Sequence, residues 1–191
     1  MAQDNVRRRL SADSVSKQFK TTTPATAKAG LPVITSDAGV TLHLNGDDLV
    51  VVHVPHAHTD GDAMIYWRAA NVLHTGDIFF NKETFPFIDL ESGGSIDGMI
   101  AGANAGLKLV KPGGKIIPGH GPIASRADLQ AYRDMLVDVR AKVAAAIRAG
   151  KSRAQVIAMH PATPYVGWVK EGFITSDDFA GEIYDSLKGA R

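Results

Sequence analysis

Three short stretches of this chain combine histidine or aspartate with glycine, and each follows a predicted β-strand. They are PHAHTDGD at 55–62, HTGD at 74–77 and PGHGP at 118–122. Imidazole nitrogens and carboxylate oxygens can bind a metal ion, and a bound ion can activate water. Taken singly, each stretch is more typical of an ordinary loop or turn. Their recurrence at three strand ends is therefore the pattern that needs an explanation.

The strands that must position these residues lie in the first two thirds of the chain. TLHLN, the turn pair Asn45-Gly46 and LVVVHVP predict a β-hairpin whose second strand is covered on both faces. Two further strands, at 63–68 and from 71, are separated by only two residues and should pair. KIIPGHGP predicts a short buried strand that breaks into a loop. A rigid sheet of this kind can aim the residues at its strand ends into one cleft.

Helices dominate the remainder of the chain. Ser95 is placed to cap a helix that ends before Pro112, and Ser125 with Asp128 forms a capping box for the longest helix. Gly150 ends that helix, and a last helix follows at 176 onward. The pattern predicts one α/β domain over residues 1–191. Residues 1–40 are a poorly defined segment with short helices at 5–10 and up to Phe19.

Composition narrows the classes of function. The chain has 45% hydrophobic residues and a formal net charge of +1, so it offers no general attraction for nucleic acid or an acidic membrane surface. It has no cysteine, which excludes disulfides and thiolate ligands. No apolar stretch approaches the roughly 20 residues of a membrane helix, and no signal peptide is recognisable. We expect a cytoplasmic protein as the sequence stands, or a periplasmic one if an upstream segment was removed.

The order of the three stretches resembles the metallo-β-lactamase superfamily. AHTDGD is similar to the third motif of that family and implies His58 as a metal ligand. LHTGD is similar to the fourth, in which a carboxylate bridges two metals, and implies Asp77. IIPGHGP is similar to the fifth and implies His120. The resemblance is strong from about residue 41 to residue 120 and extends plausibly over the helical tail.

This resemblance implies both a fold and a reaction. The fold would be the αβ/βα sandwich of the family, an α/β class. The reaction would be hydrolysis of an amide, lactam, ester or thioester in a small-molecule substrate by a metal-bound hydroxide, with Asp77 as the catalytic carboxylate. The cofactor would be zinc, as one or two ions. Iron and manganese stay open as alternatives, because two histidines and one carboxylate also suit non-haem iron.

One departure from the family pattern concerns the first ligand motif. Full-length members carry an early His-x-His-x-Asp-His, but the only histidine before Leu49 is His43, inside a predicted strand. The chain therefore resembles the C-terminal two-thirds of the family, as an N-terminally truncated domain. We expect weakened hydrolysis. The alternative is a metal-binding or interaction protein that keeps the fold with little or no catalysis.

Several nearby residues have two interpretations. His56, His58 and Asp60 could instead form a His-x-His-x-Asp ligand set, although on the favoured interpretation His56, Asp60 and Asp62 support His58 from behind or line the cleft. The glycine-rich stretch before the first long helix could be a substrate loop or a simple helix entry. That stretch comprises Ser92, Gly93, Gly94 and Ser95.

The remaining histidines are weaker candidates as ligands. His53 and His74 lie inside predicted strands and are expected to be buried neutral imidazoles, each bonded to a neighbour. His160 lies in the tail with no evident partner.

The predicted truncation also bears on assembly. Without the first strands of the family fold, the hairpin at 41–54 would have an unpaired edge and an uncovered apolar face. Residues 1–40 offer few large apolar side chains to cover it. We therefore expect a homodimer with residues 50–54 at or near its interface, or complementation by the missing N-terminal segment.

Overall fold

The computed structural model describes residues 1–17, 19–170 and 172–189. The strands are β1 (Ala2–Gln3), β2 (Ser14–Ser16), β3 (Thr21–Thr23), β4 (Thr35–Ser36), β5 (Gly39–Leu44), β6 (Asp47–Val54), β7 (Asp62–Trp67), β8 (Val72–Phe80), β9 (Lys115–His120) and β10 (Ala124–Ser125). The α-helices are α1 (Asp4–Leu10), α2 (Ile96–Leu109), α3 (Arg126–Arg148), α4 (Arg153–Ile157) and α5 (Ser176–Lys188), and 3-10 turns occur at Lys28–Gly30 and Thr163–Trp168.

The largest element of the fold is a six-stranded sheet in the order β10-β9-β8-β7-β6-β5. All neighbours in it are antiparallel except β8 and β9, which are parallel. Asn45 and Gly46 have φ values of 52° and 76°, as a type I′ hairpin turn requires. The predicted hairpin and the pairing of β7 with β8 are therefore confirmed.

One face of the sheet carries the helices and forms the main core. Val54, Met64, Tyr66 and Leu73 point into this layer and are almost fully buried. The predicted caps are present: the Ser95 side chain accepts the Gly98 N–H, and a capping box begins α3. The predicted α/β class is confirmed, and within the described residues no helix is long and apolar enough to cross a membrane.

The opposite face of the sheet is crossed by the N-terminal segment. Residues 1–3 and Ser36 lie over Val51, His53, Ala63 and Ile65, leaving a cavity of about 100 Å³ between them. Strand β6 is therefore covered on both sides, but most of its residues stay partly exposed. The predicted covering of both faces of this strand is therefore seen, and its residues stay partly exposed because the covering segment is thin.

The N-terminal segment has more defined structure than its composition suggested. Among the described residues between Ser11 and Phe19 there is no second helix; β2 and β3 pair as a short antiparallel hairpin instead. Polar contacts attach the segment to the domain. The Asn5 amide donates to the Asp60 carbonyl at 3.3 Å, and the Arg9 guanidinium pairs with the Asp60 carboxylate. Counting large apolar side chains cannot detect this kind of attachment.

Candidate metal centre

The three predicted ligands lie on or directly after strands of the six-stranded sheet. His58 lies in the loop after β6, Asp77 lies in β8, and His120 is the last residue of β9. Because β8 and β9 are parallel, their carboxyl ends lie at the same edge of the sheet. All three side chains line one open cavity of about 410 Å³. The predicted convergence is thus seen in the structure, although the metal-binding role of these residues stays a prediction.

Asp77 lies between the two imidazoles. Its Oδ2 is 3.7 Å from Nε2 of His58, and its Oδ1 is 3.5 Å from Nε2 of His120. Both distances are too long for good hydrogen bonds. In a tetrahedral site with metal–ligand bonds of 2.0 to 2.1 Å, neighbouring donor atoms lie about 3.3 Å apart. The spacing of these three groups is therefore closer to that of ligands around a shared ion than to a hydrogen-bonded chain.

The orientation of His58 is fixed from behind. Its Nδ1 lies 2.9 Å from the carbonyl oxygen of Phe87. A carbonyl can only accept, so Nδ1 carries a proton, and in the neutral tautomer that this bond selects the Nε2 lone pair faces the cavity. Metal-binding histidines commonly have such a partner on the other ring nitrogen. This backbone contact therefore prepares His58 for coordination.

His120 is held mainly through its backbone and its ring face. Its ring stacks on Phe80 with centroids 4.9 Å apart and planes inclined by 12°. The N–H of Asn81 donates to the His120 carbonyl at 2.8 Å, and the Asn81 side chain donates to the Pro122 carbonyl at 2.9 Å. Buried Asn81 thus ties β8 to the loop that carries His120.

Two glycines make room for Asp77. Gly76 has a φ of 54° at an irregularity in the pairing of β8 with β9, so the chain can turn there with little strain. A Cβ on Gly119 would lie 2.0 Å from Oδ1 of Asp77 and 2.7 Å from the carbonyl carbon of Gly76. Gly119, the first glycine of the PGHGP stretch, therefore allows the close packing that positions the Asp77 carboxylate.

The donor chemistry of these residues fits a metal ion. Two imidazole nitrogens and one carboxylate suit zinc and leave a coordination position for water. In the described ranges, however, no group of three or more His, Cys, Asp or Glu side chains lies in an arrangement that could hold a metal ion as it stands. Binding would have to draw the two histidines toward a common point beside Asp77. Half-exposed His120 has room for such a movement.

His56 and Asp60 are directed away from this cavity. His56 Nδ1 lies 2.9 Å from the Gly93 carbonyl, and Asp60 pairs with Arg9. Both residues line a separate open cleft of about 610 Å³. The alternative ligand set of His56, His58 and Asp60 is therefore not brought together, because alternate residues of the loop point to different sides.

Asp62 supports the His58 loop from within. Its carboxylate accepts hydrogen bonds from the Thr59 N–H at 2.9 Å and from the Thr59 hydroxyl at 2.7 Å. Burial raises the pKa of Asp62 above its ordinary value, and the Thr59 bonds offset part of that rise. This placement agrees with the expected supporting role.

The stretch Ser92, Gly93, Gly94 and Ser95 lines the cleft that holds His56, not the cavity at Asp77. Its residues brace the ligand loop instead. The Ser95 hydroxyl donates to the His56 carbonyl at 2.8 Å, and a Cβ on Gly94 would lie 2.1 Å from the His58 carbonyl oxygen. The predicted substrate loop therefore lies on the far side of the His58 loop from the cavity at Asp77. Gly94 in it accommodates the His58 backbone and not a ligand.

The other histidines have partners outside the cavity. His53 Nε2 lies 2.9 Å from the Asp60 carbonyl, and His74 Nδ1 accepts the Gly76 N–H at 3.0 Å. Both are bonded to neighbours as predicted, but they are only partly buried. His160 has a partner that the sequence did not suggest, since its Nδ1 lies 2.9 Å from the Asp177 carboxylate.

Sequence reasoning missed the residues that complete the cavity. They are Phe80, Glu83, Thr84, Phe87, Gly172 and Phe173. None belongs to a recognisable ligand motif, and Phe173 is almost 100 residues from Asp77. The one usable signal among these described residues was the aromatic pair in the FPF stretch at 85–87, which follows the end of β8 after four residues.

This fold and site define an α/β protein with a His-Asp-His pocket at a sheet edge. A family model described as the metallo-beta-lactamase superfamily matches residues 7–147. The chain belongs to the metallo-beta-lactamase superfamily, which confirms the resemblance drawn from its motifs. A comparison with curated proteins finds no significant match.

Solved structures agree on the fold. The stereoselective inverting sec-alkylsulfatase Pisa1 from Pseudomonas sp. is 15% identical with a TM-score of 0.62, over 95% of this chain and 31% of that chain. The B3 metallo-beta-lactamase BLEG-1 is 18% identical with a TM-score of 0.54, over 71% of this chain and 63% of that chain. This chain spans about a third of the sulfatase and less than two thirds of the lactamase. At these identities the likeness shows the fold alone.

Proposed function

We propose that this protein is a metal-dependent hydrolase that cleaves an amide, lactam, ester or thioester bond. The observation that carries the proposal is the convergence of His58, Asp77 and His120 in one open cavity, with the Nε2 of His58 already directed at the carboxylate. Membership of the metallo-beta-lactamase superfamily supports hydrolysis as the general type of reaction.

Each of the three residues has a distinct role in this proposal. His58 and His120 would hold the ion through their imidazole nitrogens, and Asp77 would hold it beside them while its negative charge offsets that of the cation. A bound ion would act as a Lewis acid toward the substrate carbonyl and would lower the pKa of water. Phe80 and Phe87 pack against the imidazoles and keep solvent from the inner side of the site.

We propose zinc as the ion and a stoichiometry of one. Three protein ligands and a water complete one tetrahedral shell, whereas two ions would need additional donors. Within the described residues, the only other carboxylate lining the cavity is Glu83, which pairs with Lys170 at 3.1 Å. Iron and manganese are alternatives that metal analysis would separate.

A metal-binding protein with little catalysis is the second candidate. Two observations favour it: among the described residues no three-ligand group could hold a metal ion as placed, and the His120 side chain is 53% exposed. A loosely held ligand set would activate water poorly, because a misplacement of about 1 Å can reduce a rate 10²-fold. We therefore expect turnover below the usual enzyme range of roughly 1 to 10³ per second.

Metal analysis after dialysis tests the ligand set. We expect about one zinc per chain, a large loss for His120→Ala, and a smaller loss for His74→Ala. His74 contacts the turn before Asp77, so His160→Ala is the cleaner control because its imidazole pairs with Asp177 far from the cavity. Equal zinc losses in all three variants would mean that the ligands are misassigned.

Turnover separates the two candidate functions. Zinc-loaded protein is assayed with a chromogenic ester and a chromogenic β-lactam, beside His58→Ala. Metal with turnover that His58→Ala abolishes supports the hydrolase. Stoichiometric metal without turnover supports the metal-binding protein, and turnover that survives His58→Ala would refute both the site and the mechanism.

A further inference from the structure

The outer wall of the cavity is formed by aromatic rings. Phe87 and Phe173 line it, with centroids 6.2 Å apart, and Phe19 packs on both at 5.6 and 5.7 Å. We refer to Phe19, Phe87 and Phe173 as the aromatic rim. Phe173 is 67% exposed and Phe19 is 44% exposed. Large apolar side chains that cluster at the mouth of a pocket indicate a ligand surface more than isolated exposure would.

The aromatic rim is assembled from distant segments, each fixed by hydrogen bonds. The hairpin that carries Phe19 is held where Glu91 accepts from the Ser16 hydroxyl and the Lys17 N–H, both at 2.9 Å. The segment that carries Phe173 is held by buried Thr84, whose hydroxyl bonds the Ile174 backbone. Two otherwise separate segments are thus directed to the same cavity mouth.

The rim begins directly beside the proposed metal ligands. The ring of Phe87 lies 5.4 Å from the ring of His58, centroid to centroid, in an edge-on arrangement. A small molecule whose reacting carbonyl lies at His58, Asp77 and His120 would therefore place its next few atoms against Phe87 and Phe173. The rim is consequently the surface that would contact the non-reacting part of a substrate.

The charge of the cavity points to an uncharged substrate. Its described lining residues include the acidic Asp77 and Glu83 but no lysine or arginine. Lys170, outside this lining, is already paired with Glu83. An anionic group on the non-reacting part of a substrate would therefore lie against phenyl rings with no lysine or arginine of the described lining to pair with, and would lose its hydration without a partner.

We propose that the site accepts an uncharged ester, lactone or thioester that carries an alkyl or aryl group, and that the aromatic rim binds this group. The proposal rests on the hydrolase function proposed above. In the reaction, the oxygen of water bonds to the carbonyl carbon, the acyl C–O or C–S bond breaks, and a proton from water goes to the leaving oxygen or sulfur. Substrates with a carboxylate or sulfate on the apolar side are disfavoured.

A binding experiment tests the rim without requiring turnover. N-phenylnaphthylamine is neutral, and anilinonaphthalene sulfonate presents similar rings with a negative charge. We expect the neutral probe to bind zinc-loaded protein at least about tenfold more tightly, and Phe173→Ala to weaken it roughly tenfold through lost apolar contact. Phe173→Leu should restore much of the affinity. Val33→Ala is the control, because Val33 is 93% exposed and lies outside the cavity lining.

A kinetic experiment then tests the substrate class. The p-nitrophenyl esters of acetic acid, octanoic acid and singly ionised succinic acid differ in chain length and charge. We expect octanoate to be preferred over acetate and succinate to be the poorest, with Phe173→Ala raising KM for octanoate and leaving kcat nearly unchanged. Phe173 is mostly exposed, so this variant should fold.

The two experiments fail separately. Rim-dependent probe binding without ester turnover would leave the rim as a binding surface and refute the hydrolase. Turnover with no preference for octanoate, or equal binding of both probes, would overturn the rim proposal and leave the hydrolase intact.

Discussion

Adding one methyl group at Gly119 should damage the site more than the fold. In Gly119→Ala the new Cβ would lie 2.0 Å from the Asp77 Oδ1, 2.7 Å from the Gly76 carbonyl carbon and 2.8 Å from the Asp77 nitrogen. The carboxylate oxygen can rotate away, but the two backbone atoms cannot. Asp77 must therefore move both at its side chain and at its main chain.

The size of that movement follows from these contacts. Ordinary contact with a Cβ begins near 3.4 Å, so the backbone atoms must retreat by about 0.6 to 0.7 Å and the carboxylate oxygen by about 1.4 Å. Overpacking of this kind reduces stability by about 1 to 3 kcal/mol. For a protein of this size that is a fall in Tm of roughly 2 to 12 °C. A displacement near 1 Å at a ligand should weaken zinc binding by roughly 10²-fold.

Calorimetric zinc titration and thermal unfolding of the metal-free protein measure the two effects independently. Gly167→Ala is the matched control, since a Cβ there meets nothing within 4 Å and Gly167 lacks a positive φ. The control should bind zinc as the parent does. If Gly119→Ala also bound zinc with parental affinity, Asp77 would not be a ligand in the position described.

Three further predictions concern the surrounding structure. The hydrogen bond from the Lys82 ammonium is the main cause that lowers the pKa of Asp128 from 3.8 to about 2. The ionised Asp128 carboxylate therefore stabilises the folded protein fully above pH 3.8, and this contribution is lost as the pH falls toward 2. Because the pair is partly solvent-exposed, Asp128→Asn should cost about 1 kcal/mol at pH 7, and urea titrations should show the parent and the variant converging below pH 3.8. Asn81→Ala frees the Pro122 carbonyl and should lower the free energy of unfolding by about 1 to 3 kcal/mol and weaken zinc binding; a variant with parental Tm and affinity would contradict its role in holding the His120 loop. We also propose that the protein forms a homodimer through the exposed outer edge of β5. Light scattering at micromolar concentration tests this proposal, and a monomer mass would contradict it.

The sequence was most informative where chemistry and backbone conformation coincide. Asp77 and His120 each directly follow a glycine that the local backbone needs, so their motifs encode the proposed ligand and its local geometry together. The capping box at Ser125 and the turn at Asn45 were predicted for the same reason, since a few adjacent residues determine each structure. These features require no knowledge of distant parts of the chain.

Contacts between distant segments could not be predicted in this way. The Phe87 carbonyl that orients His58 is a backbone atom, so no side-chain motif marks it. Residues 1–17 attach to the sheet through polar contacts such as Arg9 with Asp60, which hydrophobic patterning does not register. The same limit explains why an uncovered face was expected at residues 50–54: hydrophobic patterning did not show that residues 1–3 and Ser36 lie over it.

The placement of the N-terminal segment gives it a proposed part in substrate selection. Its hairpin is largely exposed and contributes little to the main core, yet it brings Phe19 against Phe87 and Phe173 at the mouth of the cavity. Of the proposed metal ligands, Asp77 and His120 are fixed by sheet pairing at β8 and β9, and His58 is oriented by the Phe87 carbonyl. Substitutions at Phe19 or Phe173 should therefore change which apolar group binds while leaving zinc affinity unchanged. A site divided in this way can alter its selectivity without rebuilding its proposed metal centre, because Phe19 and Phe173 do not support the three ligand candidates.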